Sequence, residues 1–195
     1  MNRVFLGCMA GGIVVCMLIV FSGISVSAEF SADLIQKTAG MTTKGKVYVK
    51  DNKMRMEMET PAGKSINLMD IATGSMQMFQ PEQKMYFEMS APGAGVVTTD
   101  EALAKIAEKK HVGTEKLDGH ECDKYEIIYN DRSLGKMTQW FSKELNYPVK
   151  ILYDGPQGES VVEYKDIRQG KIDSSLFSVP PGYQKMTLPG MGHTK

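Results

Sequence analysis

Apolar and polar residues alternate with a period of two along most of the chain. The clearest case is Lys44–Thr60, KGKVYVKDNKMRMEMET. Alternation over such a length predicts strands rather than a helix. Asp51-Asn52 suits a two-residue hairpin turn, because both residue types tolerate positive φ. That turn sets the register: Val49 faces Met54, Val47 faces Met56 and Gly45 faces Met58. The other face then pairs Tyr48 with Arg55, Lys46 with Glu57 and Lys44 with Glu59. One face is Val, Met and Gly, and the other is Tyr and charge. A one-residue slip would mix them.

Further strands follow at regular spacing, separated by turn residues: Ser65–Ile71, Ser75–Gln80, Lys84–Met89, Val112–Lys116, Glu121–Tyr129, Gly135–Ser142, Val149–Tyr153 and Ser160–Ile167. Phe30–Lys37 reads as strand or helix, with strand preferred. Ala91–Val97 is a Pro/Gly-containing loop. Thr98 and Glu101 then form a capping-box spacing, and Leu103, Ile106 and Ala107 follow at helical spacing, which predicts an amphipathic helix over Thr99–Lys110. Past Lys171 the chain reads as irregular, with a flexible tail from about residue 188. The expectation is a mainly β (α+β) fold of about ten strands and one short helix. An antiparallel sheet of that size curls or closes, and a curled sheet has a concave apolar face that the helix and its loop would cover as a lid.

The first 28 residues differ from the rest. Arg3 precedes an apolar run, and Val26-Ser27-Ala28 fits the small-x-small rule for signal peptidase. A cleaved signal peptide (1–28) and one exported domain (29–195) are expected. Retention of the run as a membrane anchor is the alternative, since roughly 20 apolar residues span a bilayer. Cys8 and Cys16 are poorly placed for lipid attachment. Cys122 is the one cysteine beyond residue 28, so an internal disulfide framework is excluded there, and its plainest role is that of a small buried residue. Charge adds little: 23 Lys and Arg balance 23 Asp and Glu, and no basic cluster marks a nucleic-acid surface.

Several stretches, taken in order, resemble a known family. They are Lys44–Lys50 leading to Met54-Arg55-Met56-Glu57; Gly113–Tyr125, GTEKLDGHECDKY; Trp140–Lys143 followed by Tyr147–Lys150; and Phe177–Tyr183, FSVPPGY. Together they are similar to the periplasmic lipoprotein carriers and outer-membrane lipoprotein-sorting (LolA-like) proteins, and within that superfamily to an uncharacterised branch of bacterial envelopes. The resemblance implies an unclosed antiparallel half-barrel with helices in its mouth, and non-catalytic holding of a lipid or acyl chain. One helix is read here where the well-studied carriers have several.

Candidate chemistry centres on methionine. Twelve of fifteen lie beyond residue 28, several in rows. They read either as packing on one sheet face or as the wall of an adaptable apolar cavity, since Met is flexible and polarizable. The cavity reading assigns Val47, Val49, Met54, Met56, Met58, Met76, Met78, Leu103 and Ile106 as lining. The partners it implies are a hydrophobic small molecule or lipid, with an envelope protein as a further possibility and no nucleic acid. No cofactor or metal ligand set is assigned. The first alternative is a Met-rich Cu(I)-binding envelope protein, thioethers being soft ligands; strand neighbours two apart stand about 6.5–7 Å from each other, so such a site would need a second strand. The second alternative is a structural or interaction protein with a filled core. No G-x-S-x-G, H-E-x-x-H, C-x-x-C or P-loop pattern is present, and the chain is expected not to be an enzyme.

Overall fold

The computed structural model describes residues 28–60, 63–90 and 100–186. The expected signal peptide up to residue 27, the expected loop over 91–97, the expected cap at Thr98 and the expected tail from 188 lie outside them. Among the described residues no helix is long and apolar enough to cross a membrane.

Twelve strands form one sheet. The first meander is β1 (Glu29–Thr38), β2 (Met41–Lys50), β3 (Lys53–Thr60), β4 (Gly63–Asp70), β5 (Ser75–Gln80) and β6 (Met85–Ser90). The five-residue helix α1 (Asp100–Ala104) follows. The second meander is β7 (Ala107–Leu117), β8 (His120–Tyr129), β9 (Lys136–Ser142), β10 (Tyr147–Gly155) and β11 (Gly158–Gln169). A three-residue strand β12 (Gln184–Met186) ends the described chain. The spatial order is β12-β6-β5-β4-β3-β2-β1-β11-β10-β9-β8-β7. The two meanders therefore join through the antiparallel β1–β11 pair, and β12 and β7 remain at the two edges, so the sheet is unclosed.

The predicted hairpin register is the observed one, from Gly45 opposite Met58 to Lys50 opposite Lys53. Asp51 has φ +53°, as the two-residue turn requires. Gly45 has a reason of its own: a Cβ there would stand 2.0 Å from the Glu57 carbonyl oxygen. The expected Lys46–Glu57 pairing gives way to a richer pattern. Lys46 binds Asp33 on the other neighbouring strand, while Glu57 takes Arg55 at 2.7 Å and Lys64 at 2.9 Å.

The predicted helix Thr99–Lys110 is corrected. Helix persists only over Asp100–Ala104, and Ala107–Lys110 open β7, where they pair with Tyr129–Glu126. Pairing with β8 buries Ala107 against Tyr129 and satisfies the backbone. A local helical spacing cannot register that long-range gain. His111, the residue after the predicted helix, sits within β7.

Contacts across the sheet show its curl. Tyr147 of β10 and Tyr164 of β11 both donate their hydroxyls to the Met54 sulfur on β3, at 3.5 and 3.9 Å. On a flat sheet β3 and β10 would stand four strand spacings apart, about 19 Å. Phe30 packs edge-on against Tyr147 with ring centroids at 5.2 Å. This aromatic and thioether cluster is the main core. A second core seats Leu103 of α1 on Ile127, Tyr129, Met137 and Ile151.

The opposite face of β4–β6 is closed differently. Ile66, Leu68 and Phe79 are buried there, with Tyr86 and Tyr183 packed against them. The C-terminal segment forms this cover. Lys50 donates to the Ile172 carbonyl, Arg55 donates to the Leu176 carbonyl, and Tyr183 meets Phe79 edge-on at 5.4 Å. β12 then lies parallel to β6.

Candidate functional site

Register places the methionines in rows across the first meander. One row runs Phe30, Val49, Met54, Met69, Met76, Met89 over β1–β6. The next runs Ala32, Val47, Met56, Asn67, Met78, Phe87. Directly opposed residues in an antiparallel pair have Cα atoms about 4.5–5.5 Å apart, so these side chains form a continuous surface. It is the concave face, because Met54 belongs to it and meets Tyr164 across the curl. Leu34, opposite Gly45 on the same face, pairs with Tyr164 directly.

Burial divides the nine residues assigned as lining. Val47, Val49 and Met54 are fully buried and belong to the main core. Met56, Met58, Met76 and Met78 are half-buried on the concave face. Leu103 is buried in the second core and Ile106 is exposed at 41%. The structure adds residues the sequence list lacked: Met69, Met85, Phe87 and Met89 share the half-buried surface. Asn67 stands in the middle of it between Met56 and Met78, 4% exposed, and its Oδ1 has no hydrogen-bond partner among the described residues. Cross-strand register was the signal that could have found these, but it became readable only once β4 and β5 were paired.

The far half of the same face is filled at Ile127, Tyr129, Met137 and Ile151, while Val162 and Tyr125 are half-buried and His111 is exposed. The row Gln36, Val162, Ile151, Gln139, Tyr125, His111 continues it without a register shift. Here α1 contributes Leu103 as a plug. Near the β7 edge Asp123 gathers basic side chains: Lys143 at 2.8 Å and the His111 ring at 3.5 Å, with a hydrogen bond from the Tyr125 hydroxyl. The Lys143 ammonium holds the Asp123 carboxyl below the usual carboxylate range.

Two pockets of about 250 and 240 Å³ lie elsewhere. One is lined by Ala28–Phe30, Glu144, Leu145 and Gln169–Lys171, the other by Lys50–Lys53, Asp70, Ala72, Ser174 and Phe177. Both fall below the 300 Å³ typical of small-molecule sites, and neither includes a methionine.

For metal chemistry, no group of three His, Cys, Asp or Glu comes together among the described residues. His120 binds Glu144 at 2.9 Å. Cys122 is buried, and burial pushes its thiol up to about 11, so it is protonated at neutral pH.

The fold has solved relatives. An uncharacterized conserved protein from Thermus thermophilus superposes with a TM-score of 0.59 at 10% identity, over 82% of this chain and 90% of that one. MucB, solved in the Pseudomonas aeruginosa MucA/MucB complex, gives 0.55 at 12% identity over 82% of this chain, which spans 58% of the MucB chain in return. A LolA superfamily protein from Nitrosomonas europaea also matches, at a TM-score of 0.37 and 14% identity over 81% and 92% of the two chains. The first two carry the fold likeness. No curated protein matches the chain. The family model described as "Domain of unknown function (DUF4412)" matches residues 33–146, more than half of the chain, from β1 through β9 to the turn before β10, and the protein belongs to that family.

Proposed function

We propose that this protein is an exported, non-catalytic binding protein that holds a lipid, acyl chain or other hydrophobic ligand on the concave face of β1–β6. The observation that carries this is the half-buried surface of Met56, Met58, Met69, Met76, Met78, Met85, Phe87 and Met89. A sheet face that only packed its own core would bury these side chains as completely as Met54. Unbranched thioether side chains adapt to varied apolar shapes at little cost. Apolar burial is worth roughly 25 cal/mol per Å² before ordering costs, so a long alkyl chain has enough area to bind. Export rests on the Arg3, apolar-run and Val26-Ser27-Ala28 pattern.

The test is native mass spectrometry of protein purified from a membrane-containing source, with a fluorescent fatty-acid probe in solution. Co-purified lipid and saturable probe binding are expected. Met56→Lys should abolish probe binding while the circular dichroism spectrum stays native, and Met78→Lys should do the same. A folded Met56→Lys protein that binds probe like the wild type would overturn the reading.

A further inference from the structure

Four side-chain polar atoms are buried without a hydrogen-bond partner among the described residues: Thr38 Oγ1, Asn67 Oδ1, Tyr129 OH and Ser160 Oγ. All four residues belong to the concave face. Thr38 continues the Leu34–Gln36 alternation and pairs with Ser160, Tyr129 continues Tyr125–Ile127, and Asn67 pairs with Met56 and Met78. The convex face, which is packed beneath the C-terminal segment, contributes none. Three of the four are hydroxyls, which can rotate toward a weak partner. Asn67 is the exception. It is 4% exposed and stands between Met56 and Met78, its two cross-strand partners.

A buried amide oxygen without a donor is costly, and buried polar groups in native proteins are nearly always paired. An apolar residue at position 67 would complete the row Val47, Met56, Met78, Phe87 at no such cost. The acceptor has a use if the occupant of this face brings a donor. From this we infer that Asn67 Oδ1 is the polar anchor of the ligand site, and that the ligand is a neutral amphiphile whose hydroxyl or amide N–H donates to it among the methionines. The inference rests on the concave-face binding reading and deepens it. An ionised carboxylate head has no proton to offer Oδ1. An ester lacks a donor too. Met56 and Met78, half-buried on either side, give access by rotating their unbranched side chains.

The experiment is competition against a fluorescent apolar probe with two ligands of equal chain length, 1-dodecanol and methyl dodecanoate, on the wild type and on Asn67→Leu. The wild type should bind the alcohol roughly tenfold tighter than the ester, the size of one hydrogen bond to an otherwise orphaned group. Asn67→Leu should lose that preference while keeping ester affinity, and should unfold at the same or higher temperature. Asn67→Met repeats the test with the residue type of its neighbours. Equal binding of alcohol and ester by the wild type would overturn the anchor and leave the apolar site standing. Displacement of the probe by neither ligand would overturn both.

Discussion

At the scale of single residues, burial decides chemistry. Cys122 has the most reactive functional group in the described chain and is its least available. Its thiol is pushed up to about 11, first by burial, with Glu115, Asp123 and Glu121 adding in the same direction. Folding thus favours the protonated form. The linked stability is fully present below the ordinary thiol value of 9 and declines as pH rises towards 11. Native protein should react with a thiol reagent at pH 8 at less than a hundredth of the rate of the denatured protein. Equal rates would show that the β8 region opens readily. Met54 shows the same principle without charge: it accepts from two tyrosine hydroxyls and is core, while Met56, two residues on, is half-buried surface. The two are alike in sequence pattern and differ in what lies across the concavity.

Among the elements, the β2–β3 hairpin was the most legible. Its faces, turn and register follow from alternation over seventeen residues and a turn that accepts positive φ. Gly45 is its tightest point. Gly45→Val should destabilise the fold by more than ~2 kcal/mol, since any Cβ meets the Glu57 carbonyl and cannot move off without breaking the ladder; chemical denaturation measures this. The helix was the least legible. Leu103 and Ile106 fit a helical stripe, yet only Leu103 is buried, and the chain turns into β7 at Ala107. Capping and periodicity describe a segment on its own. The β8 ladder that captures Ala107–Lys110 is formed by residues up to 22 positions away.

For the molecule as a whole, a twelve-stranded open sheet must protect its faces separately. The convex side of β4–β6 relies on the segment after β11, fastened through Lys50, Arg55 and Phe79. Tyr183→Ala should expose Phe79 and lower the melting temperature by several degrees, because it removes an aromatic contact and its buried area; thermal unfolding with apolar-dye binding checks both effects. Among the described residues the helical cover on the concave side lies over β8–β10, where Leu103 plugs the second core. The contrast between the buried cluster under Leu103 and the half-buried methionines of β3–β6 is what supports the proposed binding role.

Alternation and turn chemistry in the sequence alone determined that the chain is an antiparallel β protein, which residues of Lys44–Thr60 share a face, and that methionine dominates that face. These are local properties, set by the two-residue period of a strand. Tertiary structure decided the rest. It curled the sheet until Met54 met Tyr147 and Tyr164, sent the C-terminal segment across the convex face, and converted the last four residues of a predicted helix into an edge strand. It also placed Asn67 between Met56 and Met78, its Oδ1 without a partner among the described residues. Each of those outcomes depends on which strands become neighbours, a contest among long-range pairings whose energies no local window of residues contains.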